Sequence, residues 1–116
     1  MKKLSVTIIT KNEEKNIERC LKSVKWADEI VVLDTDSTDR TVEICRQFTD
    51  QVFCVDWHGY GKQKNLCAER AEHNWVLNID SDEEISPEGA EEIKEVLRGE
   101  TKHLLYHFPR KNFFAR

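Results

Sequence analysis

Four acidic side chains lie within five positions of this sequence, at Asp80, Asp82, Glu83 and Glu84. They directly follow residues 75–79, an apolar run that is typical of a buried strand. Carboxylates held together at the end of a buried strand repel one another, which raises their pKa values unless a cation lies between them. Mg²⁺ takes such oxygen ligands, usually one or two carboxylates together with substrate phosphates. The run therefore indicates either a metal and phosphate site or a solvated acidic turn.

Two other polar segments, residues 10–13 and residues 34–39, also follow runs that are typical of buried strands. Because ligands of α/β sheets bind at the carboxyl ends of parallel strands, we expect all three segments to meet at one edge of the sheet. A carboxylate such as Asp34 could accept hydrogen bonds from a nucleobase or a ribose, while the acidic run holds a metal that bridges a diphosphate. The alternative for residues 34–39 is helix capping, which we favour for Asp39.

The elements that must position these segments alternate between strand and helix along the chain. Strand-like runs cover residues 4–10, 29–33, 51–55, 75–79 and 103–108. Periodicity and capping signals predict helices that start near residue 12, carry residues 42–48, cover residues 62–72 and begin after the N-cap Ser86. This alternation predicts an α/β fold with a mainly parallel sheet, helices on both faces and right-handed crossovers.

The composition bounds the kind of protein this chain can be. At 116 residues it is long enough for one modest domain and too short for two. The mean hydropathy of -0.65 predicts no transmembrane helix, and residues 11–14 interrupt the first apolar run too early for a signal peptide. We therefore expect a cytoplasmic protein. The net charge of -4 argues against nucleic acid as a partner, because binding to phosphate backbones needs a clustered basic face.

The four cysteines lie far apart and form no Cys-x-x-Cys pair. Their spacing therefore indicates neither a zinc site nor a disulfide framework. Each falls on an apolar face of a predicted element, which is where free cysteine usually lies. We expect buried thiols at all four positions, Cys20, Cys45, Cys54 and Cys67.

Several of these segments share their order and spacing with a known family. They are residues 5–14 (SVTIITKNEE), Cys20-Leu21 with Ser23, Asp34 with Ser37-Thr38-Asp39 and Thr41, Asn65, and residues 79–83. Together they resemble the nucleotide-binding half of inverting family 2 glycosyltransferases, which implies a Rossmann-like GT-A fold. In closer detail, residues 10–14 and residues 59–65 (GYGKQKN) look like bacterial enzymes that add glucose or a similar sugar to the inner core of lipopolysaccharide.

The resemblance implies roles for the first two polar segments. Thr10, Asn12 and Glu13 would line the pocket for the base and ribose of a nucleotide sugar. Asp34 would meet the edge of the uracil of a UDP-linked donor such as UDP-glucose.

The resemblance also implies roles for the acidic run, which matches the family's Asp-x-Asp motif. Asp80 would reach the ribose or the metal, and Asp82 would ligate Mg²⁺ or Mn²⁺ on the diphosphate. The metal would stabilise the leaving nucleoside diphosphate as Lewis acid and template. Lys62 or Lys64 could help neutralise the diphosphate, and the alternative for either is a solvated lysine at a helix start.

This sequence departs from the family's pattern at two places. Asp36 stands where the family often has glycine, which affects the local turn. Thr10-Lys11 replaces a commoner opening that contains proline and tyrosine, which removes an aromatic ring that often stacks on the base.

The chain stops soon after the fifth predicted strand, so we expect a single domain over residues 1–116 that is truncated at its C-terminus. Inverting transfer needs a general base that takes a proton from the acceptor hydroxyl. In the family that carboxylate lies well beyond the metal motif, on the part that binds the glycan or lipid-linked acceptor, whereas 34 residues follow Asp82. We therefore assign no catalytic base. Residues 110–116 are basic and could contact the inner face of an anionic membrane or a missing domain.

Two other hypotheses remain open. Residues 30–38 also resemble the first motif of haloacid-dehalogenase-type phosphatases, in which four apolar residues precede Asp-x-Asp-x-Thr. Asp34 would then be the nucleophile and Asp36 the general acid and base, with Asp80 and Asp82 as magnesium ligands. That interpretation leaves the segment after the first strand unexplained. The third hypothesis is a non-catalytic glycosyltransferase remnant that binds nucleotide weakly or only folds.

Overall fold

The computed structural model describes residues 1–99 and 112–115, in which strands and helices alternate up to the last helix. The strands are β1 (Leu4–Thr10), β2 (Glu29–Asp34), β3 (Val52–Cys54), β4 (Trp75–Asp80) and β5 (Phe113–Ala115). The helices are α1 (Ile17–Ser23), α2 (Thr41–Cys45), α3 (Tyr60–Arg70) and α4 (Pro87–Leu97). The α/β class that the alternation predicts is confirmed.

The strands of the described residues form one sheet in the order β3-β2-β1-β4-β5. The central strand β1 pairs in parallel with β2 on one side and with β4 on the other, and β3 pairs in parallel with β2. The last strand, β5, is antiparallel to β4, with Phe113 opposite Leu77. The sheet is therefore mainly parallel, as predicted, and the carboxyl ends of its four parallel strands lie at one edge.

The core lies on both faces of the sheet. On one face, buried residues of α1 and α4 such as Leu21 and Ile93 pack with Ile30 and Val32 of β2 in one large cluster. On the other face, Cys67 of α3 packs with the alternate β2 residues in a smaller cluster. Successive side chains of a strand point to opposite faces, so β2 needs apolar residues throughout to contribute to both clusters.

The observed helix ends agree with the sequence prediction at α4 and differ from it at α1 and α2. At α4 the Ser86 hydroxyl accepts a hydrogen bond from the Gly89 N–H at 3.0 Å, and Pro87 occupies the first turn, as predicted. The first helix begins at Ile17, later than predicted: Asn12 has φ of 51°, which excludes a right-handed helix at that residue, and residues 14–16 form a turn before the helix. The second helix ends at Cys45, short of the predicted residue 48.

Two predictions about single elements have different outcomes. The prediction of a buried thiol is wrong for Cys54, which is exposed because it ends β3, a three-residue strand at the edge of the sheet. The strand predicted at residues 103–108 lies outside the described residues. In the described part of the chain, no helix combines the length and apolarity needed to cross a membrane.

Candidate functional site

A cavity of about 660 Å³ opens at the carboxyl edge of the sheet. The strand register explains its position, because Thr10 lies beside Asp34 of β2 and Ile9 lies beside Asp80 of β4. All three polar segments contribute to its wall, together with the loop that follows β3. The residues that line it include Thr10, Glu13, Thr35, Asp36, Asp80 and Asp82.

In the acidic run at the end of β4, the carboxylates of Glu83 and Glu84 have partners within the described structure, and those of Asp80 and Asp82 face the cavity. The Glu83 carboxylate accepts a hydrogen bond from the Asp80 N–H at 2.7 Å, and the Glu83 N–H donates to the Asp80 carbonyl at 3.0 Å, which closes the turn. Glu84 pairs with Arg19 at 3.6 Å on the surface. Asp80 and Asp82 are exposed on the cavity wall, and no described residue donates a hydrogen bond to either carboxylate.

Asp80 and Asp82 alone would not complete the coordination of a metal, so phosphates or water would have to occupy the remaining positions. Within residues 1–99 and 112–115, no three side chains of His, Cys, Asp or Glu come together as a metal cluster. Two carboxylates beside an open cavity nevertheless fit Mg²⁺, because protein sites for this ion usually supply one or two carboxylates and leave the remaining positions to phosphates and water.

A buried thiol lies directly beneath the acidic turn. The Cys20 Sγ lies 3.6 Å from the Asp80 carbonyl oxygen, to which it can donate a weak hydrogen bond. Burial, followed by the charge of Glu83, raises the pKa of the Cys20 thiol to about 12.

Asp34 ties β1 to the loop after β2. It is 1% exposed, and its carboxylate accepts hydrogen bonds from the Thr10 hydroxyl at 2.6 Å, the Ser37 hydroxyl at 2.6 Å and the Ser37 N–H at 3.1 Å. The carboxylate therefore lies behind the cavity wall, which Thr10 and Thr35 form in front of it. The contacts of Asp34 in this structure position other residues.

The loops after β1 and β2 are joined a second time at Asn12. Its N–H donates to the Ser37 hydroxyl at 2.8 Å, and its side-chain oxygen accepts from the Thr38 N–H at 2.8 Å. Asn12 and Asp36 both have φ of 51°, a conformation that Asn and Asp adopt more readily than other non-glycine residues. The turn at which the family often has glycine is therefore formed here with Asp36.

Glu13 and Asp39 complete the contact between the two loops. The Glu13 side chain lies on the cavity wall, and its N–H donates to the Thr41 hydroxyl at 2.8 Å. Asp39 accepts a hydrogen bond from the Thr41 N–H at 2.9 Å, at the start of α2. The hydrogen bond from the Thr41 hydroxyl lowers the pKa of Asp39. The N-cap position of α2 is Arg40, which makes no side-chain cap hydrogen bond, so Asp39 holds Thr41 from one position before the cap.

One of the two candidate lysines lines the cavity, together with two aromatic residues that the sequence interpretation did not single out. Lys64 of α3 lines the cavity, whereas Lys62 is exposed outside its described lining. Two aromatic residues, Trp57 and Tyr60, also line it. A signal was present for both, since they flank Gly59 in a loop that follows a strand, and loops at this edge carry ligand contacts in α/β sheets.

A sequence model described as Glycosyl transferase family 2 matches residues 5–113, which is most of the chain. This chain belongs to glycosyltransferase family 2. The resemblance predicted from the segments after β1, β2 and β4 is therefore confirmed.

Two similar proteins are named as glycosyltransferases. An uncharacterized glycosyltransferase of Rickettsia typhi is 43% identical over 109 residues, which cover 91% of this chain and 37% of the relative. The lipopolysaccharide core biosynthesis glycosyltransferase LpsC of Rhizobium meliloti is 33% identical over 99 residues, which cover 81% of this chain and 37% of LpsC. This family 2 chain thus spans 37% of the length of each relative. The likeness to LpsC agrees with the narrower resemblance to lipopolysaccharide core enzymes.

Solved structures of glycosyltransferases share the fold. The S. aureus TarS fragment 1-349 in complex with UDP-GlcNAc matches with a TM-score of 0.68 at 30% identity, and the match covers 84% of this chain and 31% of that fragment. A second match is glucosyl-3-phosphoglycerate synthase of Mycobacterium tuberculosis in complex with Mn²⁺, UDP and glucosyl-3-phosphoglycerate. Its TM-score is 0.57 at 28% identity, and the match covers 69% of this chain and 33% of the synthase chain. The Rossmann-like GT-A fold expected for family 2 is confirmed.

The geometry also bears on the phosphatase hypothesis. A nucleophilic carboxylate must be reachable by its substrate, but Asp34 is 1% exposed and already accepts three hydrogen bonds. Asp36 lines the cavity and Asp34 does not, so the nucleophile and the general acid and base of that hypothesis do not face the same space. Both observations, together with the family 2 match, argue against the phosphatase.

Proposed function

We propose that this chain forms the nucleotide-sugar-binding part of a glycosyltransferase whose donor is a UDP-linked sugar such as UDP-glucose. The observation that carries the proposal is the pair of exposed carboxylates at Asp80 and Asp82, which line the same cavity as the loops after β1 and β2. Family membership supports it. So do the UDP-GlcNAc in the TarS complex and the UDP and Mn²⁺ in the complex of the mycobacterial synthase.

The nucleoside end of the donor would be held by the loops after β1 and β2. Thr10 and Glu13 line the cavity and would contact the base and ribose directly. Asn12 would act through the Ser37 hydroxyl and the Thr38 N–H that it holds. Asp34 is buried and is not part of the described cavity lining, so we assign this residue to positioning Thr10.

The diphosphate end would lie at β4. Asp80 and Asp82 would hold Mg²⁺ or Mn²⁺ together with oxygens of the diphosphate. When bound, the cation supplies the positive charge that stabilises a departing nucleoside diphosphate. Lys64 is better placed than Lys62 to add a second positive charge, because its side chain lines the cavity.

The acceptor and the general base complete the proposed reaction. Transfer with inversion needs a base that removes the proton of the acceptor hydroxyl. We assign this base to the part of the relatives that lies outside the matched segment, since the match covers 37% of their length. The name of LpsC supports a glycan or lipid-linked acceptor of the lipopolysaccharide core, which would place the reaction at the inner face of the cytoplasmic membrane.

Calorimetry tests the donor site. UDP, UDP-glucose and ADP-glucose are titrated into the chain with and without Mn²⁺. We expect binding of the UDP compounds that depends on Mn²⁺ and is lost in Asp82→Ala. Glu84→Ala is the matched control, because Glu84 is an equally acidic neighbour whose carboxylate pairs with Arg19 on the surface.

Three outcomes have distinct meanings. The absence of binding under every condition would overturn the proposed donor site. Equal loss of binding in Asp82→Ala and Glu84→Ala would indicate a general effect of charge instead of metal ligation. Weak binding of the UDP compounds that does not depend on Mn²⁺ would favour the non-catalytic remnant.

A further inference from the structure

Two exposed aromatic side chains lie at the mouth of the cavity. Among the described residues, the large hydrophobic side chains that are exposed are those of Met1, Trp57 and Tyr60, at 75%, 49% and 67%. Met1 is a chain end, whereas Trp57 in the loop after β3 and Tyr60 at the start of α3 both line the cavity. Exposed apolar groups gathered beside a polar cavity mark a surface that contacts a ligand.

The two rings hold each other in place. Their centroids are 5.0 Å apart and their planes meet at 89°, an edge-to-face arrangement that aromatic pairs prefer. Gly59 between them has φ of 92°, which residues with a side chain rarely adopt, and its carbonyl accepts a hydrogen bond from the Gln63 N–H at 2.9 Å. The start of α3 thereby fixes Tyr60 before any ligand arrives.

A hydrogen bond from the buried side chain of Gln63 connects the first turn of α3 to the end of β2. The Gln63 amide donates to the Thr35 hydroxyl at 3.2 Å, and Thr35 follows directly on β2. The aromatic pair is therefore held at a fixed distance from the polar segments that form the rest of the cavity wall.

The strand order sets the distance between the aromatic pair and the acidic pair. Trp57 follows β3 and Asp82 follows β4, and two strands lie between β3 and β4 in the sheet. Three strand spacings amount to about 14 Å. A nucleoside diphosphate can extend over a comparable length, with its phosphates at one end and its base at the other.

From this arrangement we propose that the base of the nucleotide sugar packs on Trp57 and Tyr60, stacked on the face of one ring and bordered by the other, perpendicular ring. The inference rests on the proposed donor site, because the phosphates must lie at Asp80 and Asp82 for the base to reach β3. Flat aromatic rings attract any nucleobase, since every base has a π-face. Stacking therefore supplies affinity, while discrimination between bases is left to the polar groups of Thr10, Glu13 and Thr35.

The test compares ligands that contain the base with one that lacks it. Affinities of UDP and of inorganic pyrophosphate are measured by calorimetry with Mn²⁺ for the wild type, Trp57→Leu and Tyr60→Leu. Each variant should bind UDP about tenfold more weakly or worse, and pyrophosphate as the wild type does. Trp57→Phe should retain most of the affinity for UDP, because it keeps an aromatic face. Melting temperatures should not change, since both side chains are exposed.

The matched control is His58→Ala, which alters an exposed residue of the same loop that is not part of the described cavity lining. It should bind UDP normally. Wild-type affinity of both leucine variants for UDP would overturn the inference while leaving the donor site intact. If the variants lost affinity for UDP-glucose but not for UDP, the rings would contact the sugar and the inference would be wrong. If the wild type bound neither UDP nor pyrophosphate, the donor site and the stacking surface would both be wrong.

Discussion

The Thr10 hydroxyl donates a 2.6 Å hydrogen bond to the buried Asp34 carboxylate, which joins two residues 24 positions apart in the sequence. Thr10 ends the central strand and lines the cavity, while Asp34 ends the neighbouring strand and does not. Thr10 therefore faces the cavity, and Asp34 fixes the position of the Thr10 side chain from behind.

Removing the Asp34 carboxylate should destabilise the fold. In Asp34→Ala the hydroxyls of Thr10 and Ser37 lose their buried acceptor, and hydrogen bonds to a charged group contribute about 1.5–3 kcal/mol each. We expect the free energy of unfolding in urea to fall by about 2–4 kcal/mol. Thr10→Ser keeps a hydroxyl and should lose much less. Unchanged stability of Asp34→Ala together with lost binding of UDP would instead indicate direct contact with the ligand.

Glu83 should affect metal binding without being a ligand. Its carboxylate accepts the Asp80 N–H and thereby shapes the turn that presents Asp80 and Asp82. In Glu83→Ala the affinity for UDP in the presence of Mn²⁺ should fall by about tenfold, because residues that orient metal ligands typically contribute this much to metal affinity. Glu83→Gln retains an acceptor oxygen and should restore most of the affinity. Equal loss in both variants, measured by calorimetry, would show that the negative charge itself is needed.

Cys54 should be the one thiol that reacts in the native chain. Burial raises the pKa values of Cys20, Cys45 and Cys67 to about 12, which keeps them protonated as well as inaccessible, whereas Cys54 is exposed. Titration with a chromogenic disulfide at pH 8 should detect one equivalent per chain before unfolding and four after it. Cys54→Ser should abolish the native signal. Fast reaction of a second thiol would show that a buried helix opens readily.

Glu29 should make stability depend on pH in the acidic range. Burial disfavours its charged form, but hydrogen bonds from Ser5, Gln51 and the Glu72 N–H outweigh this and lower the pKa of Glu29 below its ordinary value of 4.5. A lowered pKa in the folded state contributes stability above the unfolded pKa, and this contribution is lost as the pH falls through the folded value.

The wild type should therefore lose stability as the pH falls below about 4.5, and Glu29→Gln should lose less over the same interval. Urea unfolding at pH 7 and at several lower values measures the difference. Parallel curves for the two proteins would show that other carboxylates dominate the acid sensitivity.

The sequence was most informative where a local signal decides the structure. The strand predicted at residues 4–10 has these bounds in the structure, because a nearly continuous β-branched run is buried on both faces. Ser86 and Pro87 likewise mark the helix start that the structure contains, since capping involves neighbours within one turn. The convergence of three polar segments followed from strand alternation alone.

Other features depend on which side chains meet across the sheet, and periodicity carries no information about that. In the sequence the four carboxylates of the acidic run are equivalent, but in the structure the Glu83 carboxylate accepts a hydrogen bond within the turn. Asp34 looked like a ligand contact because hydropathy does not show that Thr10 and Ser37 enclose it. Cys54 looked buried because a strand pattern does not tell an edge strand from a central one.

The double connection between the loops after β1 and β2 has an evolutionary consequence. Asn12 binds the loop at Ser37, and Ser37 in turn donates to the same carboxylate as Thr10, so a substitution at one position alters the fitness effect of substitutions at the others. These positions should show epistasis and covary among relatives. New donor preferences at this edge would then arise through coordinated replacements, whereas positions such as Trp57, which has no hydrogen bond to these loops among the described contacts, could change one at a time.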